Sequence, residues 1–436
     1  MQIHSLPQSA QKVNVIAHID ASEEVVEPFL ARRLDEFEEA RQQAGPDLSI
    51  TAGVTRKGSN PTGKVIKGLS ILGVQAALPV AGFAIGGVVG LGIGLVGAAG
   101  MYALGLTRQG LGELESARHH RACLPDGDWS GRRIYQVSAD DKPGIASTVL
   151  QSQDSNRPPT TSELASYFAA NMDRQATNVI YVSGHGLGFR QVASMPTGRV
   201  ALALHEANQQ TGQKPDVLVM ESCLMGNLET LEHLSGTARV AVLSEEVLNC
   251  EALPLKDMLV SASAQGGTPQ EIGRKMVELA GATGQVQTLA AFDLDRLPAV
   301  NASLDKLGNE LLAELGRGKR DEIQEAAREA GKFPQPGILF LERFMLNFSD
   351  LGSFLKALDG KDLAPETRAA AQQAHQALES MIVARATGEG YENASGVSYL
   401  KKDTPWLEGS PEMGAYRDTP NLPASWKNFT QTLWAA

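Results

Sequence analysis

The chain has 436 residues, 42% hydrophobic and 20% charged, with a formal net charge of −11. That is ordinary globular material with ample core; its length allows two or three domains, although large α/β enzymes often run as one. The acidic balance argues against nucleic acid and suits either a basic substrate or plain solubility. Three cysteines, Cys123, Cys223 and Cys250, give no disulfide framework and fit a reducing setting.

Residues 1–12 form a short polar leader without the basic-then-apolar pattern of a signal peptide, and are expected to be disordered. Such a leader is compatible with specialised bacterial secretion. Val13–Asp20 reads as a strand. Asp20 and Glu23 read as a helix N-cap and its box partner, opening a helix through Arg41 with an apolar stripe at Val26, Phe29, Leu30, Leu34 and Phe37. Leu48–Thr55 reads as a second strand.

Residues 68–107 contain no charged side chain, and Gly82, Gly86, Gly90 and Gly94 recur at four-residue spacing, which lets helices approach closely in a bilayer. A single crossing needs about 20 apolar residues, and the run is about twice that. A helical hairpin turning near 85–89 returns the chain to the same side, as a sheet shared by both flanks requires. So many glycines make a poor water-soluble helix. The alternative is an apolar hairpin packed on protein or within an oligomer.

Gly110–Cys123 reads as helix, 125–131 as loop, Arg133–Ser138 as strand and Ser152–Thr161 as linker. Thr161 or Ser162 caps a helix through Met172. Two apolar runs, ending Tyr181-Val-Ser-Gly-His185 and Val219-Met-Glu-Ser-Cys223, read as buried parallel strands. Between them lie a loop over Gly188–Arg199 and a helix over Val200–Gln210. Leu224, Leu228, Leu231 and Leu234 line the next helix, and Arg239–Ser244 is a further strand. Gly267–Ala282 and Ala299–Glu314 read as helices around the strand Gln287–Asp293, Phe344–Leu358 and Pro365–Ala386 as helices, and Ser395–Lys402 as a strand. His4, His119 and His120 have no metal-ligand spacing.

In open α/β sheets ligands bind at the carboxyl ends of the strands. His185 closes one such strand and Cys223 another, and a thiol beside an imidazole is a nucleophile with its proton carrier. A packed cysteine and a turn histidine are the bland alternative. Gly184-His185-Gly186, then Glu221-Ser-Cys-Leu-Met-Gly-Asn-Leu-Glu229, then Leu243-Ser-Glu-Glu246, resemble the clostripain family of cysteine peptidases, relatives of caspases and gingipains. Weaker likeness continues at Val13–Asp20, Thr288–Leu294 and Gly396–Tyr399. The run 68–107 is not part of that resemblance.

The resemblance implies an α/β/α sandwich around a largely parallel sheet, with a helical C-terminal part, and a cysteine endopeptidase cutting after Arg or Lys. Cys223 would attack the scissile carbonyl from a helix N-terminus that favours its thiolate. His185 would carry protons, and the backbone N–H groups of Gly186 and Cys223 would hold the oxyanion. The family has Asp where this chain has Glu221, on the floor of the pocket for the residue before the cut. Strand alternation puts Glu221 on the face of Cys223; the other account is a carboxylate paired with an internal arginine. Ser244 and Glu245 are further substrate-binding candidates, with an edge-of-sheet charge as the blander account. Arg190 and Arg199 are candidates for self-cleavage. No metal is expected and no cofactor required; the resemblance keeps calcium possible, since clostripain itself is calcium-dependent, but no EF-hand-like loop is present to predict it. The expected organisation is a leader (1–12), a first catalytic part (13–63), an inserted membrane-associating hairpin (64–120), a catalytic core (121–285) and a C-terminal part (286–436). The competing function is a membrane-inserting or pore-forming protein in which the peptidase fold is regulator or scaffold.

Overall fold

The computed structural model describes residues 12–22, 29–57, 65–74, 129–142, 144–155, 157–330, 348–401 and 411–434, with isolated positions 77, 95, 111 and 114. The expected leader, Glu23, and most of the expected hairpin and of the helix after it lie outside the described residues.

Nine strands build one sheet: β1 (Val13–Ala21), β2 (Leu48–Arg56), β3 (Gly131–Gln136), β4 (Thr148–Gln153), β5 (Thr177–Ser183), β6 (Val217–Glu221), β7 (Val240–Leu243), β8 (Thr288–Asp293) and β9 (Ile382–Thr387). Their spatial order is β9-β8-β7-β6-β5-β1-β2-β3-β4. The five inner strands, β2, β1, β5, β6 and β7, run parallel. Antiparallel pairs extend both margins. The order reverses direction at β1 and β5, so the crevice at their carboxyl ends is a topological switch point, where such sheets bind ligands.

The helices are α1 (Leu30–Ala44), α2 (Thr161–Asn171), α3 (Thr197–Thr211), α4 (Leu228–Leu234), α5 (Leu255–Gln265), α6 (Pro269–Ala282), α7 (Leu297–Gly316), α8 (Arg320–Glu329), α9 (Leu351–Asp359), α10 (Pro365–Met381), α11 (Pro411–Arg417) and α12 (Ala424–Leu433). Alternation along the strands assigns them to two layers. Val13, Val15, Val179, Tyr181, Val217 and Val219 face a core shared with α1, α5 and α6. Ile16, Ile180, Val182, Leu218 and Met220 face the opposite core, with α2, α3, α4 and the C-terminal helices. The result is the expected α/β/α sandwich.

Several elements differ from expectation. α1 begins at Leu30, after Phe29, and has no side-chain cap; Asp20 instead accepts hydrogen bonds from the Ser22 N–H and the Ser194 hydroxyl. The expected long helix from Pro365 stops at Met381, and Ile382–Thr387 becomes β9. Its β-branched Ile382, Val383 and Thr387 favour an edge strand, which the preceding alanine-rich stretch masked. α5 was not anticipated, and the start of the supposed linker at Ser152 belongs to β4. The Thr160 hydroxyl and Glu163 form the capping box of α2.

The C-terminal part completes the sheet and then braces α4. A short antiparallel pair, Phe348–Asp350 with Ser398–Leu400, lies beside it, and the Leu400 N–H donates to Glu229 Oε1 at 3.0 Å. Glu229 is fully buried, and its other oxygen has no hydrogen-bond partner. Burial pushes its carboxyl up to about 7, although the Leu400 N–H opposes this; burial does the same to Glu232. A carboxyl held above its unfolded value stabilises the fold fully below that value and loses the contribution as pH rises through 7, at about 1.4 kcal/mol per pH unit. Wild-type melting temperature should therefore fall between pH 5.5 and pH 8. Glu229→Gln keeps the Leu400 bond and should melt several degrees higher than wild type at pH 8, with a shallower pH dependence. Parallel melting curves for the two proteins would remove this account of Glu229.

Candidate active site

β5 and β6 are neighbours in parallel register, with Ser183 opposite Glu221. Each chain leaves the sheet there, and His185 and Cys223 follow two residues further on, at the same rim of strands about 4.8 Å apart. Both are half-buried, whereas Ser183, Gly186, Glu221 and Ser222 around them are buried. The Ser222 hydroxyl donates to the Gly184 carbonyl at 2.8 Å and ties the two loops together.

Gly186 has to be glycine. A Cβ there would lie 2.2 Å from the Cys223 carbonyl oxygen and 2.8 Å from its nitrogen. The His-Gly turn thus rests on the backbone of Cys223. It continues into a tight hairpin, in which the Leu187 N–H donates to the Gln191 carbonyl at 2.8 Å and the Ala193 N–H to the His185 carbonyl at 2.9 Å. Those two bonds bracket the Gly186–Val192 bridge and leave the Gly186 N–H outside the ladder.

The Cys223 thiol lies 3.5 Å from the Leu248 carbonyl oxygen. Leu224 turns the chain with a φ of 63°, its N–H donating to the Glu246 carbonyl at 3.1 Å. α4 begins only at Leu228, where Asn227 caps the Thr230 N–H at 2.7 Å. Cys223 is therefore not at a helix N-terminus as expected. The field of a helix end falls off within its first turn, so that source of thiolate stabilisation is absent.

Glu221 is the clearest departure. It is 7% exposed, and its two carboxylate oxygens accept from the Arg33 guanidinium and the Tyr181 hydroxyl. Arg33 also donates to Glu36 at 2.5 Å and to the Leu253 carbonyl at 3.0 Å. Burial opposes its charge, but Glu221, Tyr181 and Glu36 outweigh that and hold it firmly protonated. Burial, then Glu221, pushes Tyr181 well above its ordinary range. The internal arginine weighed against the substrate account is the one present, and Glu221 spends its charge on Arg33. The signal for Arg33 was legible: it falls on the stripe of Leu30, Leu34 and Phe37, and a cation within an apolar stripe implies a buried partner.

The segment after β7 covers this pair. Leu248 meets the thiol, Leu253 meets Arg33, and Glu251 pairs with Arg32 at 2.7 Å. Cys250 keeps exposed surface, yet the protein around its sulfur, with Glu221 and Cys223 nearby, pushes the thiol up to about 12. It is a poor second nucleophile at neutral pH.

Ser244 and Glu245 turn inward rather than toward substrate. Ser244 is fully buried, its hydroxyl lying 2.6 Å from the Thr288 carbonyl and 3.0 Å from that of Glu246. Glu245 is 2% exposed, accepts from the Gly396 N–H at 3.0 Å and shares a hydrogen bond with Asp350. Burial, then Asp350, holds its carboxyl well above the usual range. Both brace the loop carrying Cys223, where a Cβ on Gly226 would lie 2.7 Å from the Glu245 nitrogen. Arg190 sits in the hairpin turn, with its N–H on the Leu187 carbonyl at 3.3 Å, and Arg199 lies in the first turn of α3. Cleavage at Arg199 requires that turn to unwind. Among the described residues no cluster of three or more His, Cys, Asp or Glu is placed to hold a metal.

No curated protein matches the chain. Among solved structures it resembles an inactive zymogen C11 protease from Parabacteroides distasonis, with 12% identity and a TM-score of 0.56 over 95% of this chain and 100% of that one. It also resembles a secreted C11 cysteine protease from Bacteroides thetaiotaomicron in complex with an irreversible peptide inhibitor, with 11% identity and a TM-score of 0.57 over 97% and 99%. At such identities the likeness carries the fold. The clostripain family model (Peptidase_C11) matches residues 165–390, more than half the chain, from within α2 to just beyond β9. The chain belongs to the clostripain family of cysteine peptidases.

Proposed function

We propose that Cys223 is the nucleophile and His185 the proton carrier of a peptide hydrolase. The observation that supports this reading is the β5–β6 register, after which His185 and Cys223 follow at one rim, with Gly186 against the Cys223 backbone. The thiolate adds to the scissile carbonyl, and the Gly186 and Cys223 N–H groups stabilise the oxyanion. His185 protonates the leaving amine and then activates the water that releases the acyl group.

The finer part of the proposal is cleavage after Arg or Lys. Its support is a carboxylate, Glu221, just beneath the nucleophile. Glu221 can receive a substrate cation only once Arg33 has left it. Self-cleavage at Arg190 or Arg199 belongs to the same proposal and requires local unfolding at either place. We also propose that residues 64–120 contact a membrane. The support is the uncharged run 68–107, together with Ile66 at 61%, Leu69 at 56% and Val74 at 55% exposure in the helical stretch 65–74. Among the described residues no helix is long and apolar enough to cross a bilayer.

Purified protein in reducing buffer, with and without calcium, should hydrolyse fluorogenic peptides ending in Arg or Lys. Cys223→Ala should abolish turnover, and His185→Ala should lower kcat/KM about a thousandfold. Retained activity in Cys223→Ala would remove the assignment.

Gly186→Ala should lower kcat by about a hundredfold or more with the circular dichroism spectrum retained, because the added methyl must push the oxyanion donors apart. Wild-type kcat in that variant would show that the Gly186 backbone takes no part.

Glu221→Gln should reduce the preference for Arg over a neutral residue about tenfold, and Arg33→Gln should increase it by a similar factor. Unchanged ratios in both would exclude Glu221 from specificity. Deleting 64–120 should leave peptide hydrolysis intact and abolish flotation with anionic vesicles; equal flotation would dismiss the membrane contact.

A further inference from the structure

We propose that a cleft between β4 and α2, at the sheet margin far from Cys223, binds a small organic anion through Arg132. The cleft has a volume of about 500 Å³, and Arg132, Ile134, Gln151, Leu150, Ser166 and Ala170 are among its walls. β4 is four strand positions from β5, roughly 19 Å at ordinary strand spacing.

Arg132 is 7% exposed, yet among the described residues no carboxylate pairs with it, and its buried Nε has no hydrogen-bond partner. Its guanidinium lies over the face of Tyr167, 5.8 Å from the guanidinium carbon to the ring centroid. A buried guanidinium is costly to keep without an anion. The nearest acid does not serve. Glu163 is engaged by Arg157 at 2.6 and 2.8 Å, and that pairing holds its carboxyl down to about 2. Behind Arg132, His18 is fully buried with neither ring nitrogen bonded, and burial together with Arg132 keeps it neutral. The cleft walls carry one guanidinium, Arg132, and one carboxylate, Glu163, whose charge Arg157 takes up from outside the lining.

The walls define the ligand class. Gln151 and Ser166 add polar groups at one side, while Ile134, Leu150 and Ala170 form an apolar wall, with Leu150 59% exposed. This combination fits an oxyanion head, carboxylate or phosphate ester, on a short hydrocarbon body. Arg132 offers the forked N–H donors that such heads accept in pairs.

Thermal shift and calorimetry at constant ionic strength test this with hexanoate, hexyl phosphate and neutral hexanamide. Either anion should raise the melting temperature of the full-length protein, and hexanamide should not; the stronger of the two anions identifies the head group. Arg132→Gln should weaken that binding at least tenfold while leaving peptide hydrolysis unchanged. Gln151→Glu places a carboxylate on the cleft wall and should suppress anion binding while raising the melting temperature of the unliganded protein. The proposal is overturned if neither anion shifts wild type, or if Arg132→Gln and Gln151→Glu both respond as wild type does. These outcomes are independent of whether Cys223 is the nucleophile.

Discussion

The register of two adjacent parallel strands carries the site. With Ser183 opposite Glu221, both chains leave the sheet at the same height, and the next residues of each meet at one rim. A one-residue slip would turn every side chain of a strand to the other face. The register is secured by burial on both faces: Val179 and Tyr181 need one core, while Ile180 and Val182 need the other. The contact between Gly186 and the Cys223 backbone follows from that register and admits no side chain. His185 and Cys223 are thus positioned by the core, and the loops add only the last fixings.

Beneath the rim lies a charge cluster whose energetics favour position over stability. Arg33, Glu221 and Tyr181 are nearly inaccessible, and a buried ion pair recovers little beyond its desolvation cost. Removing one partner is another matter, since it strands the other charge. The cluster therefore fixes where α1 and the Leu248–Leu253 segment sit relative to Cys223, because Arg33 reaches both Glu221 and the Leu253 carbonyl. Any cation brought to Glu221 would compete with a resident guanidinium that is already desolvated.

Much of this was legible in the sequence where one residue class dominates a short window. The strands ending at His185 and Cys223 are unbroken apolar runs, and their small, reactive ends announced the rim. The α/β/α layering was implied by the likeness of those strand ends to the clostripain family. What escaped depends on partners distant in sequence. Whether Glu221 faces substrate or an arginine is decided 188 residues away, at Arg33. The inward turn of Ser244 and Glu245 depends on Thr288, Asp350 and Gly396, none of them near in the chain. The end of α10 at Met381 was hidden because Ala-rich helix and Ile-Val strand abut without a glycine or proline between them.

The C-terminal part has a physical role beyond completing the sheet. The Ser398 N–H donates to the Gly226 carbonyl at 2.9 Å, the Gly396 N–H reaches Glu245, and the Leu400 N–H reaches Glu229. All three bonds end on the stretch that follows Cys223 or on the segment directly behind it. Two of the acceptors are acids that burial keeps protonated or close to it. A neutral carboxyl can occupy a buried position that a carboxylate cannot, and it both accepts and donates there. The loop bearing the thiol is therefore clamped from behind by groups whose protonation state is set by the same packing they support. Loosening the C-terminal pair would hydrate those acids, ionise them and release the loop in one step, coupling the integrity of the far end of the chain to the geometry of the rim.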